Sequence, residues 1–144
     1  TINFAFDSAR LDDVARRILD RQADFMRQFP EVRFSVFGHA DLVGSTTYNR
    51  RLGRARAEAA VAYLGRRGVW RRRLEALVSL GETQPVVPTQ NPERANRRTV
   101  TRVSGFVAGN PLVLDGKYGR IVYRKYVASG VGAAPAPTAA APGG

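Results

Sequence analysis

The sequence predicts an α+β fold, a two-layer βαβαββ sandwich with two main helices packed on one mixed four-stranded sheet, followed by a C-terminal extension. Three observations predict it. Residues 11–29 repeat apolar side chains at helical spacing, residues 32–37 alternate them at strand spacing, and residues 99–107 are rich in β-branched side chains. With 144 residues and 44% hydrophobic content, one main domain with a real core is expected.

Residues 2–6 alternate apolar with small or polar side chains and read as the first strand, after which Asp7 and Ser8 can cap a helix. From Leu11 to Phe29, the residues Leu11, Val14, Ala15, Ile18, Leu19, Phe25, Met26 and Phe29 share one face, with Gln22 the one polar member of the stripe. Pro30 ends that helix, and Val32, Phe34 and Val36 give the second strand its core face. A loop from Gly38 to Thr46 follows, and Ser45, Thr46 or Thr47 can cap a second helix that runs to about Arg67 and stops at Gly68. Residues 74–80 and 99–107 read as the third and fourth strands, separated by a proline-containing connection of functional or mobile type. The two βαβ crossovers are expected to make parallel pairs, and the last two strands an antiparallel pair across the long loop.

The domain is expected to span residues 1–107. Residues 108–129 form a basic extension in which Tyr118, Tyr123 and Tyr126 alternate with Lys117, Arg120, Arg124 and Lys125. Such a segment can stack on bases, or pack its rings on the domain and leave its charges in water. The Ala/Pro/Gly composition of residues 130–144 reads as a disordered tail. Thr1 leads straight into strand-like sequence, as in a domain cut from a longer precursor, so the missing leader is silent on compartment. No apolar run is long enough to span a membrane, and the absence of cysteine excludes disulfides and thiol chemistry.

Most of the net charge of +11 is local: residues 50–73 hold nine arginines against Glu58. Such a cluster suits polyanions, or is a solvated helix face. One arginine stands apart. With Leu52 at zero on the helical wheel, Ala55, Ala59 and Tyr63 mark the buried face, and Arg56 falls at about 40°, inside it. Arg50, Arg51 and Arg54 point away, and Arg66 and Arg67 can snorkel out at the helix end. A guanidinium keeps its charge, so Arg56 needs an acid partner or a polar cleft, and Asp41 is the candidate acid. Two readings fit: an ion pair pinning loop to helix, or two groups lining a pocket, Asp41 for a ligand ammonium and Arg56 for a carboxylate. His39, the single histidine, reads as a residue that fixes its loop by hydrogen bonding. One histidine without cysteine makes no convincing metal site, and no credible nucleophile–base pair accompanies it, so neither an enzyme nor a cofactor is expected.

At these residues the chain resembles the OmpA-like peptidoglycan-binding domain, found in outer-membrane porin tails, peptidoglycan-associated lipoproteins and flagellar stator proteins. The resemblance covers roughly residues 2–103. It rests on Phe4-Ala5-Phe6-Asp7-Ser8-Ala9, Gly38-His39-Ala40-Asp41 with Gly44, Tyr48-Asn49, Leu52, Arg56-Ala57, Gly81-Glu82, Pro85 and Asn96-Arg97-Arg98. It implies non-covalent binding of peptidoglycan through the diaminopimelate of its stem peptide, with Asp41 on the side-chain amine and Arg56 on the carboxylate. By the same resemblance His39, Ala40, Leu42, Gly44, Tyr48, Asn49, Asn96 and Arg97 line or flank the pocket. Ala40 replaces the family's usual threonine, and Leu42 stands where polar residues are common. The implied setting is the periplasm, tied to the outer membrane through the rest of a parent protein, with a homodimer left open. The contrasting reading is a nucleic-acid or anionic-surface binder using Arg50 to Arg73, which no recognised nucleic-acid motif supports.

Overall fold

The computed structural model describes residues 1–105, so the extension at 108–129 and the tail at 130–144 lie outside the described residues. The chain runs β1 (Ile2–Asn3), α1 (Asp13–Gln28), β2 (Arg33–His39), α2 (Thr46–Arg66), β3 (Leu74–Gly81) and β4 (Arg98–Ser104), with 3-10 turns at Arg71–Arg73 and Arg94–Asn96.

Each helix starts where a side chain can accept an otherwise unpaired amide. Asp12 caps α1 through the Ala15 amide at 2.8 Å, in place of the expected Asp7 or Ser8. Those two residues build the turn before it: Asp7 has φ 54°, and the Ser8 hydroxyl accepts from the Arg10 amide. Ser45 caps α2 through the Tyr48 amide at 3.1 Å, and Gly68 with φ 92° ends it as expected. The apolar stripe of α1 is buried at Ala15, Leu19, Phe25 and Met26, together with Gln22, while Ile18 is half-buried and Val14 exposed.

The sheet order is β1-β4-β2-β3. β2 and β3 are parallel, as the crossover predicts, but β4 lies antiparallel between β1 and β2. Neither the expected β1–β2 pair nor the expected β3–β4 pair exists. The reason is burial: in a central position β4 bonds on both sides and buries Thr99, Thr101 and Val103, whereas beside β3 it would have one partner. The long connection from Gly81 to Arg98 lets the chain pass the end of β2 to reach that slot. β1 is shorter than its sequence pattern. After Asn3 only the Phe4 amide continues the pairing, donating to the Arg97 carbonyl at 2.8 Å.

The core between helices and sheet holds Phe4, Leu19, Met26, Phe34, Val36, Leu64, Val69 and Val103. On the other face Phe37 pairs with Val78 and Val100 across the strands. α2 approaches β2 most closely at two glycines: a Cβ on Gly38 would lie 1.8 Å from the Gly53 carbonyl oxygen. That contact sets the helix's rotation. The buried line of α2 is Asn49, Gly53, Arg56, Ala57, Ala60 and Leu64, about a quarter turn from the face centred on Leu52. Leu52 and Ala59 lie on its rim, and Ala55 is exposed.

Candidate functional site

The site lies where β2 ends and α2 begins. The Ala40 amide donates to the Gly81 carbonyl at 2.9 Å, carrying the parallel pairing past the strand end. Asp41 follows, and Gly44 with φ 97° turns the chain into α2. Leu42 and Val43 are half-buried at this turn, and the Ala40 methyl is buried.

Arg56 is fully buried, at 0% exposure. Its guanidinium donates to three backbone carbonyls: Nε to Ser8 at 2.8 Å, Nη1 to His39 at 2.9 Å and Nη2 to Ala5 at 3.3 Å. It also sits over the Phe4 ring, 5.3 Å from the centroid. Burial pushes its pKa down to about 10, opposed by the negative charge of Asp41, so it stays a cation at neutral pH.

Asp41, 4% exposed, makes no ion pair with Arg56. Its partner is Arg97, whose Nη1 donates to Oδ2 at 3.0 Å while Nε donates to the Phe4 carbonyl at 2.9 Å. The Glu93 amide also donates to Oδ2, at 3.2 Å, and the Val43 amide to Oδ1, at 3.3 Å. The ion pair expected to pin loop to helix is thus Asp41–Arg97. Arg56 is held by carbonyls instead: the turn after β1 aims those of Ala5 and Ser8 at it, and the end of β2 that of His39.

The guanidinium has five N–H groups, and the three carbonyl bonds leave one on each terminal nitrogen. An ionised carboxylate accepts at about four lone-pair positions, and three donors reach Asp41. One acceptor position on Asp41 and two donors on Arg56 therefore remain. An ammonium and a carboxylate held close together would match them.

Other residues take different parts. Tyr48, 39% exposed, donates its hydroxyl to Asp7, and both groups act electrostatically on Arg56. Asn49 is buried and donates to Glu82 at 2.8 Å, with Thr46 donating to the other oxygen of Glu82 at 3.1 Å. Asn96 latches the long loop. Its Oδ1 accepts from the Val86 and Val87 amides at 2.7 and 2.9 Å, and its Nδ2 donates to the Val87 carbonyl.

His39 departs from expectation. Strand alternation turns its ring to the face opposite Gly38 and α2, where Nδ1 is buried without a partner. Its carbonyl, not its ring, serves the site. Burial and the nearby Arg98 cation push its pKa down to about 4.

Sequence reasoning missed Asp7, which it read as a helix cap, and the roles of Glu82 and the Glu93 amide. The carbonyls of Ala5, Ser8 and His39 have no side-chain signature to find.

The arginine cluster is not one surface. Arg54 and Arg71 both pair with Glu58, and Arg67 pairs with Asp20. Arg56 is inside, and Arg73 donates to the Phe29 and Val32 carbonyls.

Fold and site define a small α+β domain that presents one acid and one buried arginine at the carboxyl end of its parallel strands. The chain belongs to the OmpA family, which residues 3–99 match. It is 34% identical over 106 residues to the peptidoglycan-associated lipoprotein of Brucella melitensis, covering 72% of this chain and 62% of that protein. It therefore spans less than two thirds of that relative's length. The crystal structure of the peptidoglycan-associated lipoprotein from Burkholderia pseudomallei superposes with a TM-score of 0.67 at 31% identity, over 72% of this chain and 88% of that one. The C-terminal domain of Helicobacter pylori MotB shares the fold, with a TM-score of 0.67 at 22% identity, over 87% of this chain and 97% of that one.

Proposed function

We propose that the domain binds peptidoglycan without covalent chemistry and thereby anchors a larger envelope protein to the cell wall. Its ligand is the diaminopimelate of the stem peptide, whose side-chain ammonium takes the remaining acceptor position of Asp41. The adjacent carboxylate takes the two remaining N–H groups of Arg56. Arg56 is fully buried, so ligand entry requires neighbouring side chains to move, and Tyr48 and Asp7, both close enough to act on it electrostatically, are the candidates. The setting is the periplasm, with the rest of the parent protein tying the domain to the outer membrane.

One observation carries this reading: Asp41 and Arg56, already fixed by backbone groups, retain hydrogen-bonding capacity of opposite sign. Membership of the OmpA family, and the names of relatives called peptidoglycan-associated, support the choice of polymer.

At about 200 mM salt, where diffuse attraction is lost, purified protein should sediment with isolated sacculi, and Asp41→Ala or Arg56→Ala should abolish this. Each charge-assisted contact contributes about 1.5–3 kcal/mol, so either loss is tenfold or more. Arg56→Ala also strips three carbonyls of their donor. Asp41→Asn, which keeps the side chain's shape, separates lost binding from lost folding when both are checked by circular dichroism. A stem peptide carrying diaminopimelate should compete for the site, and the same peptide with lysine in its place, whose side-chain amine has no adjacent carboxylate, should not. Retention of sacculus binding by both alanine variants would sink the site assignment.

A further inference from the structure

A second concave site lies at the other end of α2, whose 21 residues span about 30 Å. It is a cleft of about 540 Å³ bounded by Arg27, Arg33, Gly68, Trp70, Arg72 and Arg73. That volume falls in the range of small-ligand pockets.

Its arginines differ in how far the fold already uses them. Arg73 is fixed: Nε and Nη2 donate to the Val32 carbonyl at 3.0 and 2.8 Å, and Nη2 also reaches the Phe29 carbonyl at 2.9 Å. Nη1 is left over. Arg33 donates through Nη1 to the Arg72 carbonyl at 3.2 Å, which leaves Nε and Nη2. Arg72 lies with its guanidinium 4.7 Å from the centre of the Trp70 ring. Arg33, Arg72 and Arg73 enter none of the ion pairs among the described residues. Arg27 contributes less, because it is paired with Asp24. Trp70 itself is 56% exposed, so a large aromatic surface lies beside three cations that enter no ion pair among the described residues.

Collecting like charges in a concavity is unfavourable unless something compensates them. The pKa of Arg73 is lowered, first by burial and then by the charge of Arg33, with Glu31 opposing. Guanidinium forks match phosphate oxygens, and an aromatic ring with one wet edge packs on a carrier that is part polar and part apolar.

We propose that this cleft is a second binding site, for a phosphate monoester carried on a sugar or on a lipid headgroup. Arg33 and Arg72 donate to the phosphate oxygens, Arg73 Nη1 supports them from the floor, and Trp70 packs against the carrier. The site is separate from Asp41 and Arg56 and does not depend on what they bind.

The chain supplies its own probe, since Trp70 is its only tryptophan. Its fluorescence should respond saturably when the full chain is titrated with glucose 6-phosphate, or with phosphatidylcholine vesicles containing phosphatidate. Glucose and plain phosphatidylcholine vesicles should have no effect. A response to the sugar phosphate alone assigns a free ligand, and one to the vesicles alone assigns a headgroup. Arg33→Gln or Arg72→Gln should weaken binding about tenfold each, and the double variant about a hundredfold. Both side chains are at the surface, so these variants should fold. Asp41→Asn should titrate like wild type. The proposal is overturned if neither phosphate monoester gives a saturable response. It is equally overturned if the double variant responds as wild type does, or if chloride at matched ionic strength reproduces the signal.

Discussion

Arg56 is a charged side chain at the centre of a helix–sheet interface, and what makes it tolerable there is backbone, not an acid. Three carbonyls accept hydrogen bonds from it, while the charge of Asp41 opposes the effect of burial. His39 shows the opposite strategy, being buried with a neutral ring. Its folded pKa of about 4 lies below the ordinary 6.5, so between these values the unfolded chain binds the proton more readily than the folded one. Stability should therefore fall as pH drops from 6.5 towards 4, and this group alone accounts for about 2 kcal/mol at pH 5. His39→Leu should flatten that part of the curve when unfolding free energies are compared at pH 7 and pH 5. An unchanged slope would mean that the ring takes up its proton equally readily in the folded and unfolded chain. At this scale the sequence was half legible. Arg56 stood out because guanidinium is foreign to an apolar face, even though the wheel was centred on the wrong residue. The Asp41–Arg97 pair did not stand out, because 56 positions separate its members and only the sheet order joins them.

The element that sets the site's geometry is the contact of α2 with β2. A Cβ at Gly53 would lie 2.6 Å from the Ser79 hydroxyl oxygen and 2.9 Å from the Gly38 carbonyl oxygen. Gly53→Ala should therefore push helix and sheet apart, at a cost of about 1–3 kcal/mol. Gly65, near the end of the same helix, has nothing within 4 Å of such a Cβ. Gly65→Ala should stabilise by about 0.5–1 kcal/mol through helix propensity alone. Urea unfolding midpoints should move in opposite directions for the two variants; a common direction would mean that propensity, not close approach, governs Gly53. The same glycines explain what pattern reading missed. A hydrophobic wheel gives weight to large residues, so it centred α2 on Leu52, whereas the tightest packing lies on the side with no side chain. Helix ends and strand positions were readable because caps, turns and periodicity are local. Strand order was not, because it depends on which slot buries β4 on both sides.

At the scale of the whole molecule, a net charge of +11 attracts the domain to any polyanion, the sacculus included. Wall binding measured at low salt therefore sums two effects, diffuse attraction and the grip of Asp41 with Arg56. They separate on salt, because counterion release makes diffuse binding fall steeply with ionic strength, while buried charges are screened much less. Between about 50 and 200 mM salt, DNA binding should collapse. Sacculus binding by Asp41→Asn should fall with it, since that variant keeps the surface charge and loses only the site. Wild-type protein should remain on the sacculi across the same range. The measurement is a sedimentation series with both proteins and both polymers at each salt concentration. If wild type and variant leave the sacculi together, in step with DNA, diffuse positive charge rather than the strand-end site holds this domain to the wall.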